Sequence, residues 1–252
     1  MFSEKSFVQS VEKVSDEIFV IKVFSPAIAT IIKPGQFCNI KISETNLPLL
    51  RRPFSVSDVE DDFIYFLFEV YGDGTSILSK KKNGDVLEIL GPLGKGFSYK
   101  DEFQTAIIIA GGLGVAPFPL LTKFIPNDKE IISLVGGRSK KQIVTAGLVN
   151  VQVATEDGSL GYKGTVLKLL QENIIKTDMK KFKIFSCGPN AMLKVLQNIC
   201  SEYNYDCEIS VEGSMACGFG ICQGCPIEPS NGESYLLICK DGPVFDSKAV
   251  KL

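Results

Sequence analysis

The stretch "TAIIIAGGLGVAPFPLL", residues 105–121, divides the chain in two. Its first half is a continuous apolar run ending in glycines, as expected of a buried parallel strand. Its second half is helical. After it come "EIISLVGG" (strand), "VQVATEDGS" (strand), "GTVLKLLQENI" (helical), "FKIFSCGPN" (strand) and "AMLKVLQNICSEY" (helical). Strands alternating with helices predict a doubly wound parallel sheet. Before it, "EIFVIKVFS", "GQFCNIKIS", "DFIYFLFEVYG" and "GDVLEILGPLG" are β-branched and aromatic runs bounded by Pro, Gly, Asn and Asp. With "SILSKKK" as the one short helical candidate, they predict a closed antiparallel barrel. The last forty residues are rich in Gly and Cys and too short to bury a core of their own, so they need a cross-link or a metal. The fold class is therefore multidomain β plus α/β, with divisions at 1–101, 102–210 and 211–252.

Composition narrows the chemistry. The 252 residues carry a net charge of −2, which excludes the basic footprint of a nucleic-acid binder. No apolar run reaches the ~20 residues of a membrane span. The start, "MFSEKSFVQSVEKVS", lacks the apolar core of a signal peptide, which predicts a cytoplasmic protein. Eight cysteines in a reducing compartment suggest metal or redox work for some of them. The chain has no histidine, so imidazole serves neither as base nor as ligand.

Cys217, Cys222 and Cys225 follow C-x4-C-x2-C, and Cys239 follows after thirteen intervening residues. This is the plant-type [2Fe–2S] ligand order. Gly218, Gly220 and Gly224 let the loop turn and bring backbone N–H groups to the sulfurs. A four-cysteine zinc site is the competing assignment, but zinc favours C-x2-C pairs on both sides. Four unligated thiols are the third.

Two strand–loop–helix junctions are candidate phosphate loops. Gly111, Gly112 and Gly114 would let a backbone approach a pyrophosphate; a purely structural turn competes, because Pro117 stands where a Rossmann motif has its third glycine. "SCGPNAML" supplies Cys187, Gly188 and Pro189 at a second strand end, and "EDGSLGYKG" resembles a third such loop. Cys187 is a candidate neighbour of a nicotinamide, with a packed thiol as the alternative. In the barrel half, "RRPFSVS" offers a cation, a ring and a hydroxyl, and "YGDGTSILS" offers Gly74, Thr75 and Ser76 at a helix start.

Barrel, nucleotide sheet and cluster loop, in that order, resemble the ferredoxin reductase superfamily. The similarity is greatest to the electron-transfer subunits of type B, NAD-dependent dihydroorotate dehydrogenase. It covers nearly the whole chain and rests on "PGQF", "LPLLRRPFSV", "GDGT", "GPLGKGF", "GGLGVAP", "CGPNAM", "MACGFGICQGC" and "CKDGPVF". The resemblance implies an FAD-binding barrel, an NAD-binding α/β domain and a [2Fe–2S] domain. It also implies an FMN-containing catalytic partner, in a heterotetramer of two each, serving pyrimidine biosynthesis. Arg52, Pro53, Phe54 and Ser55 match the flavin motif. Leu67, Phe68 and Glu69 match the next strand's FAD contacts, and Gly74 and Thr75 match the pyrophosphate contact. Cys217, Cys222, Cys225 and Cys239 match the cluster ligands.

Three positions depart from the pattern. Phe54 stands where the superfamily often has Tyr, Glu69 where the family usually has Arg, and "VEGSMACG" lacks a second charged residue beside its Met. The implied route runs from dihydroorotate through the partner's FMN, the cluster and FAD to NAD+, because a flavin converts between single electrons and hydride. Ser55 is the candidate hydrogen-bond partner of the flavin's reactive edge. The chain is not expected to oxidise dihydroorotate alone. Two other classes compete: another flavin/iron–sulfur reductase subunit of the ferredoxin:NADP or sulfide dehydrogenase type, and a non-enzymatic redox sensor. The former usually has Asp in place of the first cysteine; the latter needs no nucleotide motifs. "GGRSKKQ" leaves NADP open as acceptor.

Overall fold

The computed structural model describes residues 1–43, 47–176, 181–232 and 234–252, without the side chains of 173–176. The first half is one antiparallel sheet. Its strands are β1 (Phe2–Lys13), β2 (Ile18–Phe24), β3 (Phe37–Lys41), β4 (Arg52–Ser55), β5 (Asp58–Glu60), β6 (Phe63–Glu69) and β7 (Val86–Leu93), in spatial order β4-β3-β7-β1-β2-β6-β5. Two short helices, α1 (Pro26–Ala29) and α2 (Asp73–Leu78), interrupt it. β7 alternates buried and half-buried along its length, the period-2 signature of a sheet with one core face. Val8, Ile21, Val23, Ile40, Phe66, Phe68, Leu87 and Ile89 fill the interior. The backbone ladder does not close the barrel among the described residues, since β4 and β5 are its edges. Side chains span the seam: the Phe54 ring lies 6.2 Å from Phe66 and 6.0 Å from Phe68.

The second half is a doubly wound sheet. It contains β8 (Thr105–Gly111), β9 (Glu130–Gly137), β10 (Val151–Thr155), β11 (Tyr162–Lys163), β12 (Phe182–Cys187) and β13 (Cys207–Ser210), with α3 (Phe118–Phe124), α4 (Val166–Lys176) and α5 (Asn190–Glu202) as crossovers. All seven residues of β8 are buried, as a central parallel strand requires. The order β11-β10-β9-β8-β12-β13 runs outward from β8 in both directions, so the carboxyl ends of β8 and β12 flank the switch point where such sheets bind ligands. Lys183 on β12 is buried and pairs with Asp101 at 2.5 Å and Glu208 at 3.4 Å. That contact pins the segment joining the two halves.

The cysteine-rich segment does not stand apart. β14 (Pro226–Ile227) and β15 (Leu236–Leu237) form a small ladder, and α6 (Ile238–Asp241) carries Cys239. β16 (Val244–Asp246) then adds antiparallel to β13 as the seventh strand of the large sheet. Cys225, Ile227, Leu237, Ile238 and Cys239 share one core with Ile107, Ile184 and Ile209 of that sheet and with Phe37 and Leu93 of the barrel. The segment thus borrows a core from both neighbours. Among the described residues no helix is long and apolar enough to cross a membrane.

Candidate functional site

A cavity of about 470 Å³ opens between the two halves. Its volume lies within the ~300–1,000 Å³ typical of cofactor sites. The barrel contributes Arg52, Pro53, Phe54 and Ser55 from β4, Leu67, Phe68 and Glu69 from β6, and Gly74 and Thr75 from α2. Every residue predicted to contact flavin therefore lies on one wall. The strand pairing explains the gathering: β4 and β6 face each other across the seam, and α2 follows β6 directly.

The side chains differ in what they can offer. Arg52 donates one N–H to the Leu50 carbonyl at 2.7 Å and makes no ion pair among the described residues. Its remaining donors suit a phosphate. Thr75 is already committed: its hydroxyl accepts from the Tyr71 and Gly72 N–H groups at 3.2 and 3.3 Å and donates to the Gly72 carbonyl. It shapes the turn into α2 instead of offering a free hydroxyl. Glu69, Asp73 and Glu212 also line the cavity, so Arg52 is the cation among three carboxylates there. With an aromatic wall, a guanidinium and a slot between two domains, the residues fit a flavin nucleotide.

The opposite wall escaped the sequence analysis. Leu113 and Ala116 come from the loop after β8, and Ser210, Val211, Glu212, Gly213, Met215 and Pro243 from the chain around the cysteines. Glu212 is exposed to the cavity, yet enough protein surrounds its carboxyl that burial raises its pKa. No sequence signal separates this Glu from a surface one; its position follows only from the strand that precedes it.

The predicted nucleotide-loop residues Gly111, Gly112, Gly114, Cys187, Gly188 and Pro189 lie at the switch point and do not line the cavity, although Leu113 and Ala116 beside them do. A Cβ on Gly114 would lie 2.3 Å from the Cys187 carbonyl oxygen, and one on Gly188 would lie 3.1 Å from Gly111. A Cβ on Gly111 would come within 2.7 Å of Met192 and 2.9 Å of Pro189. Packing of the two loops alone therefore demands these glycines. Gly112 differs: its φ is +54° and open space surrounds it. Cys187 is buried, and burial pushes its thiol up, with the charge of Glu212 adding to the effect. A neutral thiol results. The third loop is tied instead to the loop after β9: the Asp157 N–H donates to the Arg138 carbonyl at 3.1 Å and the Lys140 N–H to Ser159 Oγ at 2.8 Å.

The four cysteines stand in two pairs. The Cys222 N–H points at Cys217 Sγ at 3.5 Å, and the Cys239 N–H at Cys225 Sγ at 3.4 Å. Cys225 and Cys239 are buried, whereas Cys222 is exposed. Burial opposes charge at Cys217, but N–H groups of Cys222, Phe219 and Ile221 and the Cys222 thiol outweigh it and draw the thiol down to about 6. Burial and the Cys225 thiol push Cys239 up to about 12. Gly218 and Gly220 have φ of +81° and +91°, which aims the loop's amides inward. Among the described residues no three Cys, Asp or Glu side chains converge as ligands of a single ion would. Two thiol pairs with amides directed at the sulfur suit a two-iron cluster, whose irons each take two thiolates.

Residues 212–251 match the family model of the iron–sulfur cluster binding domain of dihydroorotate dehydrogenase B. The chain is 42% identical over 221 residues to the dihydroorotate dehydrogenase B (NAD+) electron transfer subunit of Caldanaerobacter subterraneus, covering 86% of each. It is 37% identical over 251 residues to the corresponding subunit of Desulforamulus reducens, covering 95% of each. Its fold superposes on an NADH-dependent reduced ferredoxin–NADP oxidoreductase with a TM-score of 0.83 at 26% identity, over 98% of this chain and 89% of the other. A ferredoxin NADP+ reductase from Neisseria gonorrhoeae shares the fold with a TM-score of 0.66 at 16% identity, over 79% and 91%. Similarity sustained over nearly the full length, in sequence and in fold, places the chain in the family of electron transfer subunits of NAD+-dependent dihydroorotate dehydrogenase B.

Proposed function

We propose that the barrel-side wall of the cavity holds FAD, that the four cysteines hold the cluster, and that the loops after β8 and β12 receive NAD(H). The chain is an oxidoreductase subunit that carries electrons with FAD, a [2Fe–2S] cluster and NAD, and its partner is the dihydroorotate dehydrogenase catalytic subunit. Bound together, cluster and flavin match single electrons from the partner's FMN to the two-electron hydride chemistry of NAD+.

The residues do the placing. Arg52 balances phosphate charge, while Phe54, Leu67 and Phe68 shield the ring system from water. Ser55 lines the same wall and offers its hydroxyl to the flavin edge. The turn built by Thr75 brings Gly74 beside Arg52, where even a Cβ would sit 3.5 Å from Nε. Gly112, which unlike Gly111, Gly114 and Gly188 has open surroundings, offers its backbone to the nucleotide. Cys217, Cys222, Cys225 and Cys239 are the cluster ligands. We assign 1–101, 102–210 and 211–252 as flavin, nucleotide and cluster domains, and the assembly as a cytoplasmic heterotetramer of two chains of each kind.

The observation that carries this is the coincidence of all the matched flavin residues on one cavity whose far wall runs into the cysteine loop at Met215. The test is dihydroorotate-dependent NAD+ reduction, measured with each subunit alone and with both. Turnover should require both. Dihydroorotate oxidation by this chain alone would defeat the assignment, as would a complex that passes no electrons to NAD+.

A further inference from the structure

The cysteine loop meets the barrel at a buried amide. Asn39 lies on β3 and is fully buried. Its Nδ2 donates to the carbonyl of Cys217 at 2.9 Å, joining residues 178 positions apart. Its Oδ1 is buried with no hydrogen-bond partner among the described residues. A half-satisfied buried amide is unfavourable for the barrel by itself, where an apolar side chain would serve better. Cys38, next in the strand, belongs to the barrel core, so Asn39 faces the other way. Phe37, two positions back and on the same face, packs in the core that contains Cys225 and Cys239.

The loop is shaped around this amide. Gly218 has φ +81°, and a Cβ there would lie 2.1 Å from Asn39 Nδ2 and 3.0 Å from Cγ. The residue after the first cysteine therefore lacks a side chain where the amide enters. In the strand ladder Asn39 stands opposite Pro53, between Arg52 and Phe54 of the cavity wall. One side chain thus connects the first cysteine to the strand paired with the flavin wall.

We propose that Asn39 is a positioning residue for electron transfer: it fixes the Cys217 end of the loop against the barrel and thereby sets how the cluster is seated relative to the flavin. The proposal rests on the assignment of the cysteines as cluster ligands and of the cavity as the FAD site. Asn39 acts through Cys217 and touches no reacting group.

The test uses the complex with the FMN subunit. Asn39→Leu, Asn39→Ala, Gly218→Ala and the double variant Asn39→Ala/Gly218→Ala are compared for FAD content, iron loss to a chelator, and the visible circular dichroism and midpoint potential of the cluster. Both Asn39 variants should keep their FAD. They should lose iron about 10-fold faster, the scale of one lost hydrogen bond, and show altered cluster dichroism and potential. Gly218→Ala should do the same, and its effect should shrink in the Asn39→Ala background, where its Cβ has room. Unchanged iron loss, dichroism and potential in both Asn39 variants would overturn the proposal. So would loss of FAD together with iron, which would make Asn39 a general barrel residue, or strict additivity in the double variant. A parent complex without iron would instead refute the cluster assignment itself.

Discussion

The flavin wall and the cysteine loop are built on opposite plans. The wall consists of strands: β4 is laddered to β3, β6 is laddered to β2 over seven residue pairs, and Phe54, Phe66 and Phe68 lock the seam. Its shape follows from strand pairing and ring packing. The loop from Cys217 to Cys225 has no strand or helix within it, two glycines at positive φ, and an exposed Cys222. Its form depends on what the sulfurs bind and on the contacts at its rim. The two sites should therefore fail independently, one by weakened affinity and the other by collapse.

The largest effect is expected at the loop. Cys222→Ser should abolish cluster binding, with iron per chain falling close to zero, while FAD is retained; iron and flavin assays on the same sample measure both. Full iron content would remove Cys222 from the ligand set, and joint loss of FAD would show that the wall leans on the loop. A smaller, graded effect is expected at the wall. Arg52→Ala removes a charge-assisted contact of ~1.5–3 kcal/mol, about 10- to 150-fold in FAD affinity, read by titrating apoprotein with FAD. Iron content should not change.

The smallest effect tests the wall that the two regions share. Burial raises the Glu212 carboxyl. Below the ordinary Glu value of about 4.3, folded and unfolded chains both hold this proton. As pH rises past it, the unfolded chain releases the proton while the folded chain retains it, so the folded state loses stability. Glu212→Gln should thus be slightly more stable than the parent at pH 7, and the gap should vanish by pH 4. Because the side chain is open to cavity water, the gain should be modest. Melting temperatures of FAD-free protein at both pH values decide it; a variant destabilised at pH 7 would mean that the carboxylate is satisfied where it stands.

Much of this was legible in the residues, for physical reasons. β8 is apolar throughout because it is buried on both faces, and the cysteine spacing is set by the cluster's own geometry. Motifs that lie contiguous in the chain, such as Arg52–Ser55, could be read directly. β1 could not, since "FSEKSFVQSVEK" is polar along most of its length. It is a strand because β2 and β7 ladder to its two sides. β13 has four residues and is defined by its partners β12 and β16. The helical signal placed on "SILSKKK" belongs to Asp73–Leu78, and the lysines fall beyond its end. The cavity wall from Ser210 to Pro243 and Asn39 were invisible for one reason: their roles arise from contacts between segments over a hundred residues apart, and neither Glu212 nor Asn39 carries a local pattern.

β16 has a consequence in solution behaviour. Val244–Asp246 covers the outer side of β13, and it belongs to the segment that carries the cysteines. If damage to that segment frees β16, the N–H and C=O groups of Cys207–Ser210 face outward unpaired, a template for strands of other molecules. Oxidative loss of the cluster would then surface as self-association of the protein, with turbidity following the fading of colour.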